Sequence, residues 1–218
     1  NDPASHLILP DVTGLIPDTG QTKCYDDAGE IACPQSGEAF HGQDAAYTIN
    51  PPSYVKIDAQ GYYLPDSATN WAMVHDLVTG LIWATSNGHH TYTWYDISED
   101  FLSVLNDSSF GGFHDWRLPT LEELRAIVDN GVLHGQTVNT HFFHIAGATY
   151  PYYWSSTTFA EDASYAWVLD FDHGGDRKER KSDDHYVLAV RGGKAESIGN
   201  LVANADGTVT DTSTGLMW

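Results

Sequence analysis

Positive charge is what this chain lacks most. Ten Lys and Arg stand against 30 Asp and Glu, a formal net charge of −20. A field of that sign repels nucleic acid and anionic membrane surfaces unless a local basic patch overrides it. Long apolar runs are missing too. Nothing approaches the roughly 20 residues a membrane-spanning helix needs. Cysteine is scarce, with only Cys24 and Cys33. No CxxCH haem signature and no zinc-type ligand spacing accompanies them. Nucleophile-elbow, HExxH and phosphate-loop strings are likewise absent, so the familiar hydrolase, metalloprotease and nucleotidase signatures are not here. The chain begins at Asn1 with no signal-like segment, which fits a processed, exported protein and equally a trimmed one.

What is present points to a packed, strand-rich protein. The 218 residues are 41% hydrophobic and 12% aromatic, enough for a real core in one large domain or one domain with long arms. Cys24 and Cys33 flank a turn at Asp27-Ala28-Gly29, which predicts a disulfide and an oxidising compartment. Closing so short a loop contributes about 2–3 kcal/mol, locally.

Composition divides the chain. Residues 1–70 hold seven of the nine prolines and no helical periodicity, and read as an extended arm carrying the disulfide and a few short strands. The arm is expected to be ordered, because Leu7, Ile8, Leu9, Leu15, Ile16, Tyr47, Tyr54, Val55, Tyr62 and Tyr63 need somewhere to pack. Residues 71–193 read as a compact α+β domain. Strands are expected at 71–74 and 81–84 around a turn in which Gly80 can take positive φ. A helix is expected at 98–106 with Ser98 as N-cap, and another after Pro119, where Thr120 and Glu123 form a capping box and Leu121, Leu124, Ile127 and Val128 make an apolar stripe. Alternation then predicts antiparallel strands at 152–158, 164–172 and 186–191. Residues 194–204 read as a linker, and 208–210 with 216–218 as a hairpin.

That hairpin repeats an earlier string. DLVTGLIW (76–83) returns as DTSTGLMW (211–218), 135 positions later. So large an offset implies a second copy of a domain rather than a solenoid. Residues 194–218 are therefore read as a linker plus the first hairpin of an incomplete copy.

Several constellations could carry function. The RKERK string holds Arg177, Lys178, Arg180 and Lys181, four of the ten cations. It could hold a sulfated or carboxylated glycan, or be a solvated hairpin tip offset by Asp176, Glu179, Asp183 and Asp184. Tyr92, Trp94 and Tyr95, with Tyr150, Tyr152, Tyr153 and Trp154 further on, could stack on sugar rings or fill a core. Asp26, Asp27 and Glu30, and separately Asp170, Asp172 and Asp176, are hard oxygen ligands that could hold a structural calcium or simply solvate turns. His89, His90, His141 and His144 invite a metal reading or serve as capped surface groups. Leu216, Met217 and Trp218 are candidates for self-association.

Five strings in order resemble the Lcl C-terminal domain family, named for a collagen-like adhesin of Legionella: VTGLIW (78–83), GGFHDWRLPTLEEL (111–124), YWSSTT (153–158), YAWVLDFDHG (165–174) and KSDDHYVLAVRGG (181–193). The likeness spans about 120 residues. DTGQTKCYDDAGEIACP (18–34) and TYTWYD (91–96) also look like the lead-in of secreted multi-copy members, in which DGTVTDTSTGLMW (206–218) opens the next copy. The resemblance implies a C-type-lectin-like fold similar to that of the formylglycine-generating enzymes, a location outside the cell or on the bacterial surface, and adhesion, the best-known member binding sulfated polysaccharides. It implies no catalysis, since those enzymes depend on active-site cysteines and both cysteines here lie in the arm. It also places Lys181 and Arg191 in a family motif, where structural ion pairs are expected. The expected function is a non-catalytic adhesion module for glycan or matrix ligands, without nucleic acid, membrane span or cofactor beyond possible calcium. The alternative is a structural subunit that self-associates through its arm and last hairpin.

Overall fold

The computed structural model describes residues 15–85, 90–132, 135–146, 151–193, 201–211 and 217. Along the chain come β1 (Cys24–Tyr25), β2 (Glu30–Ile31), β3 (Tyr54–Ile57), β4 (Met73–Asp76), β5 (Ile82–Ala84) and β6 (Thr91–Tyr92). A π-helical turn (Ile97–Leu102) runs into α1 (Ser103–Asp107), and α2 (Leu121–Ala126) follows. Then come β7 (Tyr152–Thr158), β8 (Tyr165–Asp170), β9 (Asp176–Arg180), β10 (His185–Tyr186), β11 (Ala189–Arg191), β12 (Leu201–Ala203) and β13 (Val209–Asp211). The chain is thus mostly β-sheet with a few short helices and one disulfide.

Two sheets make the body. One has the order β6-β10-β7-β8-β9, the other β11-β5-β4-β3. Pairing is antiparallel except for β10 against β7. The segment 186–191, expected to be a single strand, divides between the sheets: Tyr186 pairs with Tyr153 in the first, and Val190 with Trp83 in the second. Its alternation continues through Val187 and Leu188, so periodicity alone cannot show the change of partner. The second sheet also takes a strand from the segment read as an arm, since Val55 pairs with His75 and Lys56 with Val74. Lys56 looks polar but is only 2% exposed. Its ammonium donates to the carbonyls of Asp66 and Ala68, both at 2.9 Å, and lies 4.0 Å from the Trp71 ring centroid. Those partners replace the water it loses.

Both sheets are covered on both faces. One core gathers Val74, Trp83, Tyr153, Leu169 and Val190 with Leu121 and Leu124 of α2. The other gathers Met73, Ile82, Trp154, Val168 and Ala189 with Phe101 and Trp116. Neighbouring residues of one strand feed opposite cores, as a period of two requires. The capping box forms as expected: Thr120 Oγ1 accepts from Glu123 N at 3.2 Å, and Glu123 Oε2 accepts from Thr120 N at 2.8 Å. The earlier helix starts differently. Its N-cap is Asp96, without a side-chain cap bond, rather than Ser98.

The arm touches the body where α2 has ended. Asn130 N donates to Thr19 O at 2.8 Å. A Cβ on Gly20, at φ +81°, would fall 2.3 Å from Asp129 Oδ1, so only glycine fits there. Asp18 holds the arm's far end, accepting from Ile49 N at 2.9 Å and Asn50 N at 3.0 Å. The expectation that its apolar residues pack is met only from Tyr54 onward. Ile16, Tyr47 and Ile49 are exposed, while Leu7, Ile8 and Leu9 lie outside the described residues.

The tail repeats β3-β4-β5 in register. Tyr54 and Val55 face Asp76 and His75, and His75 faces Ile82. Leu201 and Val202 face Asp211 and Thr210, and Thr210 bridges to Met217. Every pair obeys the offset of the sequence repeat across β13 and Met217. Residues 201–203, read as linker, therefore form the strand equivalent to β3.

Candidate functional site

Tyr165 lies opposite Arg180 in the β8–β9 ladder, so the end of β9 sits beside the turn that opens β8. Lys181 N donates to Ser164 O at 2.9 Å, and Trp94 N donates to Lys181 O at 3.0 Å, which ties a third segment to the same place. Together they border an open depression of about 500 Å³, lined by Tyr95, Asp162, Ser164, Tyr165, Arg180 and Ser182. Arg180 Nε donates to Tyr165 Oη at 3.1 Å. Asp162 Oδ1 accepts from Ser164 N at 3.0 Å and from Ser164 Oγ at 2.7 Å. The hydrogen bonds from Ser164 hold the Asp162 carboxyl below the usual carboxylate range. The Tyr165 hydroxyl pushes the Arg180 pKa up, with the charges of Asp183 and Asp162 adding to it. Both groups stay charged at neutral pH, facing a tyrosine that is 60% exposed.

Of the residues singled out in the sequence, Arg180 and Tyr95 meet here. The other cations of the string are occupied. Arg177 pairs with Glu179 and donates to Tyr152 Oη at 3.0 Å. Lys178 Nζ lies 4.0 Å from the Phe159 ring centroid. Lys181 is buried and serves structure: Nζ donates to Thr158 Oγ1 at 2.9 Å and lies 3.9 Å from the Trp94 centroid. Arg191, by contrast, makes the expected ion pair, with Asp115 at 2.7 Å. Trp94 is half-buried with its indole N–H on Ser155 O at 2.9 Å, and Tyr92 packs on Phe101. Tyr153 and Trp154 are core, and Tyr150 lies outside the described residues. Sequence reasoning missed Asp162, Ser164 and Ser182 as lining residues. A short Asp-x-Ser turn before a strand is the only local signal they give.

The acidic candidates are scattered. Asp26 Oδ1 accepts from Ala28 N and Gly29 N within the disulfide loop, and Glu30 pairs with Lys23 at 2.6 Å. Asp27 belongs to the same exposed turn. Asp176 pairs with Arg125 at 2.6 Å, and Asp170 Oδ1 accepts from Asp172 N at 2.8 Å. Among the described residues no three His, Cys, Asp or Glu converge as a metal site. His141 Nε2 lies 2.7 Å from Asp66 Oδ1 and 3.3 Å from Lys56 Nζ, and His144 packs on Trp71. His90 is exposed and His89 lies outside the described residues. A smaller hollow of about 220 Å³ beside Lys56 is lined by Tyr54, Leu64, Asp66 and Phe142, but the ammonium there is already satisfied. In the tail, Met217 is 63% exposed, whereas Leu216 and Trp218 lie outside the described residues. The Cys24–Cys33 disulfide is formed, with Cα atoms 5.0 Å apart. No described helix is long and apolar enough to cross a membrane.

Comparison with known proteins agrees with the motifs. No curated protein matches the chain. The model of the Lcl C-terminal domain matches residues 72–191, from the residue before β4 to the last of β11. It covers more than half of the sequence and spans most of both sheets and both cores, and on that match the chain belongs to the Lcl C-terminal domain family.

Proposed function

We propose that this chain is a non-catalytic extracellular module of C-type-lectin-like fold that adheres to glycan or matrix ligands. The observation that carries the reading is the depression at the β8–β9 edge. It joins an exposed tyrosine face, a guanidinium, a carboxylate and two serine hydroxyls in one concavity. An aromatic face for sugar C–H bonds with charged and hydroxyl groups around it is the chemistry saccharide recognition needs. Asp162 and Arg180 are both held in their charged forms, which suits fixed hydrogen bonding. The disulfide supports a location outside the cell, at a bacterial surface or in the medium. A glycan microarray probed with the full chain tests the reading. Retention of at least one glycan class, lost on Tyr95→Ala, supports it, and a blank array together with no binding to matrix proteins removes it.

A second reading, self-association, is favoured by the tail. In the domain, His75 and Ile82 are almost fully covered. Met217, the counterpart of Ile82, is 63% exposed, and Val202, the counterpart of half-buried Val55, is 49% exposed. A second copy of the domain's remaining elements, from a neighbour or the same polypeptide, would cover that row. Deleting 200–218 then abolishes assembly in sedimentation velocity, and unchanged assembly defeats the idea.

A further inference from the structure

The geometry points to a neutral, hydroxyl-rich saccharide, and not a polyanion, as the ligand of the depression lined by Tyr95, Asp162 and Arg180. This assignment rests on the binding-module reading above.

A basic string in the sequence suggests an acidic ligand, but the fold uses up half of that basicity. Arg177 is neutralised by Glu179, Lys178 covers Phe159, and Lys181 is buried beneath Trp94. Lys178 and Arg180 remain without an ion pair among the described residues, Lys178 over the Phe159 ring and Arg180 with its Nε on Tyr165. A polyanion needs several cations in a row, and this surface offers two without an ion pair among the described residues, Lys178 and Arg180. Asp162 stands beside both, and Asp183 follows within three residues of Arg180, so an incoming sulfate or carboxylate meets two attractions offset by two repulsions. The whole-chain charge of −20 works in the same direction at low salt.

A sugar diol suits the same groups. Both Ser164 bonds go to Asp162 Oδ1, leaving Oδ2 to accept from a ligand hydroxyl. The neighbouring hydroxyl accepts from the remaining Arg180 N–H groups. Carboxylate and guanidinium thus read the two ends of one diol by charge-assisted hydrogen bonds. Tyr95, braced by Trp94 at 6.1 Å between ring centroids, supplies the stacking face. The volume of about 500 Å³ falls within the ordinary range for ligand sites.

The substitution Asp162→Asn gives effects of opposite sign for the two ligand classes. It keeps an oxygen for the Ser164 turn, and its position is fully exposed, so the fold is not at stake. The full chain and its Asp162→Asn and Tyr95→Ala variants are titrated with neutral gluco-, manno- and galacto-oligosaccharides and with heparin. The expected result is binding of a neutral probe that weakens about three- to tenfold in Asp162→Asn and about tenfold in Tyr95→Ala. That affinity changes less than about twofold between low salt and about 0.5 M salt. Heparin binding that strengthens in Asp162→Asn and collapses with salt overturns the assignment while leaving a glycan-binding module standing. Neutral binding indifferent to both substitutions overturns the site. Absence of binding to any probe overturns the module reading and the assignment with it.

Discussion

Removing the Glu123 carboxylate should cost this domain more than removing the N-cap it supports. Oε2 of Glu123 accepts from Thr120 N and from one Arg117 nitrogen, each at 2.8 Å, while Oε1 takes the other nitrogen at 2.6 Å. Arg117 in turn donates to Gly192 O at 3.0 Å, just beyond β11. One carboxylate therefore caps α2 and anchors the strand that closes the second sheet. The pair is mostly shielded, at 27% and 19% side-chain exposure. Charge-assisted bonds of this kind contribute about 1.5–3 kcal/mol when well enclosed, which the residual exposure trims to about 1–2 kcal/mol. The lost capping return adds about 0.5–1 kcal/mol. Glu123→Ala should thus destabilise by about 1.5–3 kcal/mol, against about 1 kcal/mol for Thr120→Ala, which loses a single cap bond. Glu123→Gln should fall between them. Urea unfolding at neutral pH reads these as shifts of midpoint at constant slope. A double-mutant cycle with Arg117→Ala should return a coupling of about 1 kcal/mol or more. A coupling within about 0.3 kcal/mol of zero, or a Thr120→Ala cost exceeding that of Glu123→Ala, would refute the reasoning.

Other expectations follow from the same geometry. Gly20→Ala forces a methyl against Asp129 at a positive φ, so the arm should undock; amide exchange over 15–50 should accelerate while the core amides keep their protection. Reducing Cys24–Cys33 should open β1–β2 to proteases and leave the melting of the sheets nearly unmoved, because the bridge closes only a local loop; a fall of many degrees in the core transition contradicts this. Burial, with the nearby Arg191 charge, lowers the His75 pKa below 6.5, so the unfolded chain takes up a proton below pH 6.5 that the folded chain refuses. Stability should therefore fall as pH drops through that value. His75→Gln should flatten the slope only in part, since burial lowers His185 as well; an unchanged slope excludes His75 as a source.

Local chemistry made part of this fold readable. The capping box at Thr120 and Glu123 needs only four residues, and the disulfide only a turn, so both were visible in the string. The β8 alternation was visible too, and its two faces feed two cores, Leu169 one and Ala166 with Val168 the other. What stayed hidden depends on distant partners. Tyr54–Ile57 contains a lysine, and only the carbonyls of Asp66 and Ala68 make its burial tolerable. Likewise, 186–191 keeps one periodicity while changing sheets. In the candidate site, Arg180 and Tyr95 stood out as charge and aromatic character. Asp162 and Ser182 did not, since only the β8–β9 register gathers them. The sequence could not show which cations of the RKERK string rest on rings, because Phe159, Trp94 and Tyr152 come from other segments.

The divided segment at 185–191 also decides how this domain meets a pulling force. Tension applied beyond Gly193 reaches β11 first. There it loads the Arg117 bond to Gly192 O, then the β11 pairs with Ile82 and Trp83, flanked by the two 2.9 Å backbone bonds between Arg117 and Val190. Only after these give way does the load pass through Val187 and Leu188 to β10 in the other sheet. The strand is held on both sides but pulled from one end, so its bonds fail in sequence and not together. The domain then yields by peeling from its C-terminal edge, with Arg117 setting the threshold for the first step.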